Sequence, residues 1–393
     1  MCDDVLGYSP AWLQAHGAWH TAHEIAQQPR LWQTLHRTLH EEQARWQPFL
    51  AAVLAQPNLQ IVLCGAGSSA FVGRALAPWL REQCGWEVVA YATTDIVPSP
   101  RQYLDPRRPT LLVSFGRSGN SPESVAALAL ADRLLPRCFH LLLTCNPDGE
   151  LARYAEGRAN ACSLIMPQGS HDQSFAMTSS FSCMMLACAL LLGPRALAES
   201  PDGLQRMTAL CRQVLPVWLP AIKQLAGRGF QRLLVLGSRA FTGVAEEAAL
   251  KMLELTAGRI ATRYDSAMGL RHGPKFMVGP QTLVVTMLSA EPYCRCYDLD
   301  LLAELRRDGL AQEIVALSGA VEPDALSLAS DLDEVWLLFP FLLYLQILAF
   351  ETSLALGITP DNPCPSGEVN RVVQGVVIHD YPLTHSPITE MEV

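Results

Sequence analysis

Charge is scarce in this chain. Only 17% of its 393 residues are Asp, Glu, Lys or Arg, the net charge is −9, and the basic residues form no run. A nucleic-acid surface needs a basic stripe, so nucleic acid is not an expected partner. No Cys-x-x-Cys pair occurs among the twelve cysteines, and Cys294/Cys296 has no second pair at zinc spacing. Several cysteines (Cys64, Cys145, Cys183, Cys188) sit inside apolar runs, which predicts reduced, mostly buried thiols rather than a disulfide framework. The opening residues MCDDVLGYSPAWLQ lack a basic segment followed by an apolar one, so no secretory signal is visible. The longest apolar stretch, 335–350, contains Pro340 and Gln346 and falls short of the ~20 residues of a membrane helix. It predicts a buried helix, no membrane partner and a cytoplasmic protein.

Apolar residues are plentiful instead. At 50% hydrophobic the chain can bury large sheets, and its length exceeds one ordinary core, so two domains are expected. Disorder and coiled coil are excluded by the same figures.

Residues 1–48 read as a helical arm in two pieces parted at Pro29. Trp12, Ala15 and Trp19 mark the first face, and Leu31, Leu35 and Leu39 the second. His16, His20 and His23, and again His36 and His40, recur at helical spacing. No acidic or cysteine ligands accompany them, so a packed or solvated arm is preferred to a metal site.

From residue 49 short apolar runs alternate with helical patterns: Ile61–Cys64, Val88–Tyr91, Thr110–Ser114 and Phe139–Thr144 as strands, with glycine- or serine-rich turns between. This predicts a doubly wound parallel sheet, α/β in class, over 49–198. The plan then repeats over 199–393, which also holds a C-terminal tail. Leu233 and Leu283 each stand 172 residues after Ile61 and Leu111, and Ile314 stands 173 after Leu141. A near-constant step over three strands argues for two similar domains, joined by a linker near 193–203.

Two βα turns suit a phosphate. One carries Ser68 and Ser69 after Gly65 and Gly67. The other, Gly116-Arg117-Ser118-Gly-Asn-Ser121-Pro, brings hydroxyls to a helix start. The first also fits a dinucleotide fingerprint with Ala70 in third place. However, the next strand lacks the acidic residue that would bind the ribose, since Asp95 lies beyond its end. A third polar set, 170–174 with Thr178, Ser179 and Ser180, is read as closing the pocket.

The stretch 248–277 supplies the chemistry. Glu254 lies in an amphipathic helical segment, among Met252, Leu253 and Leu255 and three residues after Lys251, and His272 lies on the following Gly-Pro turn. A carboxylate and an imidazole at one substrate suit proton transfer next to a carbonyl. Taken alone, Glu254 also fits a surface ion pair with Lys251, and His272 a turn histidine bonded to backbone.

With these motifs in view, the chain resembles a double sugar-isomerase (SIS) domain protein and the isomerase half of glucosamine-6-phosphate synthase, over about residues 50–385. ALKMLE leading to LRHGP, the SGNS turn and the GSS turn carry the likeness. The segments SFGRSGNSPES, CNPDGEL, SFAMTSSF, RHGPKF and DNPCPSGEVNRVVQGV are similar to the bacterial galactosamine-6-phosphate deaminase/isomerase group. The resemblance implies two doubly wound parallel-sheet SIS domains, an amino-sugar phosphate as substrate and no cofactor. It implies Glu254 as the acid/base between C1 and C2 and His272 as the ring-opening group, lent across a dimer or tetramer interface. It implies Ser68, Ser69, Arg117, Ser118, Ser121, Thr178, Ser179, Lys251 and Arg371 around the substrate. Gly116 and the Asn370-Arg371 region depart from the synthase pattern, where a serine and a lysine stand. A plain ketose/aldose phosphate isomerase and a sugar-phosphate sensor use the same frame and stay open.

Overall fold

The apolar runs form the strands. The computed structural model describes residues 4–195, 197, 201–373 and 375–382. The first sheet holds β1 (Gln60–Gly65), β2 (Glu87–Ala92), β3 (Thr110–Gly116), β4 (Cys138–Thr144) and β5 (Ala161–Ile165), in the order β2-β1-β3-β4-β5. The second holds β6 (Arg232–Gly237), β7 (Ala261–Asp265), β8 (Thr282–Leu288), β9 (Glu313–Ser318) and β10 (Leu326–Ser327), in the order β7-β6-β8-β9-β10. All pairings are parallel. The two orders are the same, so the sequence repeat is a repeat of topology. β1 and β8 are buried along their whole length, the pattern of strands covered on both faces.

One apolar cluster runs through both sheets and the N-terminal arm. Its centre is the contact between the helices Ser68–Cys84 and Phe241–Leu255, which follow β1 and β6. A Cβ added at Gly243 would lie 2.3 Å from the Ala75 backbone nitrogen, so here the two helices meet backbone to backbone. Around them pack Ser179–Leu192, Asp202–Ala226 and Glu334–Ala355. The last is 22 residues long, longer than the sequence stretch implied, and apolar enough to cross a membrane; its apolar window is wholly buried inside the protein. A helix hydrophobic all round belongs in the middle of a large core.

The arm departs from the two-piece reading. Among the described residues it has four helices, Pro10–Ala15, Trp19–Ala26, Gln28–Glu41 and Gln43–Leu54, so it runs past residue 48. The break expected at Pro29 falls just before it, at Gln27, and Pro29 sits in the first turn of the third helix, where its missing N–H costs nothing. The arm is packed: Leu13, Ile25, Trp32 and Leu35 are buried. His16 bonds the Trp12 carbonyl, and His23 stacks on Trp19. The seven cysteines Cys64, Cys138, Cys145, Cys162, Cys183, Cys188 and Cys211 are buried and free. The expected linker at 193–203 lies partly outside the described residues.

Gly243→Ala should destabilise the protein by about 1–3 kcal/mol, because neither backbone can withdraw. Denaturant unfolding measures the loss, and an unchanged midpoint would contradict the contact.

Candidate active site

The crossing of these two helices sets one residue set of the second domain against the turns of the first. A cavity of about 770 Å³ opens there. Its walls are the turns after β1 and β3, one face of Phe241–Leu255, and the returning C-terminal segment 363–373.

The turn after β1 is tight. Gly67 has φ +55°, and a Cβ at Gly65 would stand 2.6 Å from the Ser69 Cβ. The start of the helix is therefore pressed onto the strand end, and Ser68 and Ser69 border the cavity while almost fully buried. The turn after β3 is braced from outside. Asn146 donates to the Ser118 carbonyl at 2.8 Å, and Asn120 accepts the Glu150 N–H at 2.9 Å. Ser121 stands at the N-cap of Pro122–Leu134, yet its hydroxyl makes no cap bond and donates instead to Glu123 at 2.8 Å. Ser118 and Ser121 both line the cavity.

The Phe241–Leu255 helix brings Lys251 and Glu254 to the opposite wall. Lys251 is 1% exposed, and its ammonium touches the Glu254 carboxylate and stands 3.7 Å from Glu247. Burial would neutralise such a lysine, but the two carboxylates outweigh it and hold its pKa above the ordinary value. Glu247 is completely buried, and neither carboxylate oxygen has a hydrogen-bond partner in good geometry. Burial pushes it up to about 8, against the pull of Lys251 and with the Glu254 charge adding to the rise. Glu247 does not border the cavity but stands behind it, in contact with Lys251.

Arg117 and Arg371 line the cavity as expected, but their hydrogen bonds go to backbone. Arg117 donates to the Phe175 carbonyl (3.1 Å) and the Arg371 carbonyl (2.6 Å). Arg371 donates to the Ser174 carbonyl (3.1 Å) and the Asp172 carbonyl. Together they fasten the C-terminal segment across the cavity mouth.

Thr178 and Ser179 require a correction. Both are fully buried and neither reaches the cavity. They serve Asp172, whose carboxylate accepts the Thr178, Ser179 and Ser180 N–H groups at 2.9, 3.0 and 2.9 Å. A carboxylate satisfies the orphan donors at the start of Ser179–Leu192 and complements its dipole. The Ser179 hydroxyl donates to the Glu24 carbonyl at 2.6 Å. Glu24, whose carboxylate accepts from Gln173 and Ser174, is pushed up to about 8 by burial and by the Asp172 charge. The polar set 170–180 is scaffold behind the pocket.

His272 is placed apart. It is exposed, on the turn between Ala267–Leu270 and Pro274–Met277, and does not border the cavity of its own chain. Among the described residues, no group of three or more His, Cys, Asp or Glu is arranged to hold a metal ion.

Comparison with known proteins fits this architecture. Residues 53–193 match the SIS domain family. The D-galactosamine-6-phosphate deaminase AgaS of Shewanella sp. (strain ANA-3) is 42% identical over 382 residues, 96% of each chain. The protein of that name from Escherichia coli is 44% identical over 385 residues, 95% of this chain and 98% of that one. The chain belongs to the AgaS family of SIS proteins. Among solved structures, a tagatose-6-phosphate ketose/aldose isomerase from Escherichia coli matches with TM-score 0.85 and 41% identity, covering 92% of this chain and 96% of that one. A glucosamine-6-phosphate deaminase from Thermotoga maritima, 19% identical with TM-score 0.69 over 90% of this chain and 99% of that one, shares the fold.

In this AgaS-family chain one further residue positions the site without touching it. The Asp361 carboxylate accepts the His20 N–H (3.0 Å), the Thr21 N–H (2.7 Å) and the Thr21 hydroxyl (2.7 Å), while its carbonyl accepts the Phe175 N–H (3.1 Å). It pins the C-terminal segment to the arm just before that segment enters the cavity wall. Nothing short of the DNP tripeptide, with Asp before the turn, hints at this in sequence.

Glu247 sets a pH dependence. Its folded pKa of about 8 lies above its ordinary 4.5. The folded state therefore holds the proton more tightly, and stability falls as pH rises through that window. Glu247→Gln should reduce the slope of unfolding free energy between about pH 5 and 8. Denaturant titrations at several pH values measure it, and an undiminished slope would show that Glu247 does not titrate there.

Proposed function

We propose that the protein is a cofactor-independent deaminase/isomerase that converts galactosamine-6-phosphate and water to tagatose-6-phosphate and ammonia. The observation that carries this reading is the Lys251–Glu254 pair facing the serine turns across one cavity. The AgaS names of relatives 42–44% identical over nearly the whole chain support it.

The phosphate is held at Ser68, Ser69, Ser118 and Ser121, where helix starts present N–H groups and hydroxyls. With the ring open, the Glu254 carboxylate takes the C2 proton and returns it to C1. The aldehyde oxygen takes a proton from the C2 ammonium and becomes the C1 hydroxyl, which leaves C2 as an iminium. Water adds at C2 and ammonia leaves, giving the ketose. Lys251 holds the carboxylate in place throughout, and the closed wall keeps bulk water from the migrating proton.

Ring opening needs a proton donor at O5, and we assign it to His272 of a second copy of the chain. Support comes from the turn itself. His272 is exposed, with Phe276 95% and Met268 48% exposed beside it, an apolar rim suited to a subunit contact. A homodimer or homotetramer follows. The reducing cytoplasm suits the free cysteines.

Ammonia release from galactosamine-6-phosphate, with glucosamine-6-phosphate and tagatose-6-phosphate alongside, tests the reading. Ammonia from the galacto substrate is expected. Aldose from tagatose-6-phosphate without any ammonia would make it a plain isomerase, and tight binding without turnover a sensor. Glu254→Gln should lower kcat by roughly 10²–10⁴ while phosphosugar affinity stays within a few-fold. Undiminished turnover would remove Glu254 from the mechanism.

The shared site has its own test. Glu254→Gln and His272→Ala chains, each inactive, are unfolded together and refolded as a mixture. Hybrid dimers should restore about a quarter of parental activity, since one site in four is then intact. No recovery would place both residues in one chain's site.

A further inference from the structure

The constant step between the domains gives the cavity a twin. As the turns of the first domain face the Phe241–Leu255 helix, so the turns of the second face Ser68–Cys84. A second cavity of about 740 Å³ lies there, bordered by Trp79, Arg239, Ala290, Arg295, Glu334 and Trp336. Its residues stand 172 positions from their counterparts. Gly237 corresponds to Gly65, and a Cβ at either would collide with the residue four further on, Phe241 or Ser69. Trp79 corresponds to Lys251, Glu82 to Glu254, and Ala290 to Ser118.

The most telling pair is Arg239 and Gly67. Both have φ +55°, a left-handed backbone that strains an arginine and costs a glycine nothing. The turn has kept its shape and gained a guanidinium. That guanidinium binds Glu82 at 2.5 Å and Glu334 at 3.1 Å. Two donors of the turn after β8 also go to Glu334: its carboxylate accepts the Ala290 N–H at 3.0 Å and the Ser289 hydroxyl. An oxygen anion held by a backbone N–H, a serine hydroxyl and an arginine at a strand end is the arrangement that serves a phosphate. Here the anion belongs to the chain.

We propose that the second crevice is an oxyanion site of the phosphate class that the protein keeps closed with its own Glu334 carboxylate. Only the assignment of phosphate to the first crevice rests on the function proposed above; the filling of the second does not.

Binding of inorganic phosphate, counted per chain at saturation, tests it. Glu334→Ala should bind one phosphate more per chain than the parent. Glu334→Gln, which keeps the shape and one acceptor, should gain none. Adding Arg239→Ala to Glu334→Ala should abolish the gain. Equal stoichiometry in folded Glu334→Ala, or two phosphates per chain already in the parent, would overturn the proposal. Should Glu334→Ala fail to melt cooperatively, Glu334→Ser, which still starts the helix, takes its place with the same readout. A parent that binds none and a variant that binds one would uphold the closed site and refute the phosphate role of the first.

Discussion

The backbone contact between Gly243 and Ala75 is the constraint on which the molecule depends. Two parallel sheets, each with helices on both faces, have many ways to pack. A helix crossing this close selects one, because any side chain at Gly243 would force the sheets apart. Once it is made, the helix that follows the first strand of each domain faces the turns of the other. Hence Lys251 and Glu254 reach the Ser68 and Ser118 turns from across a domain boundary rather than from beside them.

Charge is also buried at this junction. Lys251 and Glu247 are inside the protein, where a lone ion would be strongly disfavoured. Lys251 is tolerated because Glu247 and Glu254 stand about its ammonium, and Glu247 because burial lets it hold a proton up to about pH 8. Such a triad is a poor source of stability compared with apolar packing. It fixes the one carboxylate that borders the cavity, which apolar residues could not do.

The sheets were legible in the sequence because their strands are short apolar runs, and the step of 172 residues from Ile61 to Leu233 revealed the duplication. β7 escaped notice: Ala261–Asp265 lies at a sheet edge with alternate residues exposed, so no apolar run marks it. β5 and β10 were missed as well: β10 is only two residues long, and β5, though mostly buried, has its apolar run broken by Ser163. The serine turns and the 251–254 pair were legible through motif and resemblance. Thr178 and Ser179 were misread, because a hydroxyl cluster before an apolar helix looks the same whether it meets a ligand or a buried carboxylate; only the position of Asp172 decides. Glu24 and Asp361 act over more than 140 residues of separation, and sequence periodicity carries no such information.

The Asp361 contact has a consequence for the chain as a whole. It returns the segment around Asp361 to the N-terminal arm, so the polypeptide closes on itself through the first domain after completing the second. Neither half is then a freestanding module: a fragment ending in the linker would lose the helix that carries Glu254 and the wall that shuts the cavity, and its complement would lose the serine turns. The two copies are thus divided by sequence but depend on each other for a complete working site.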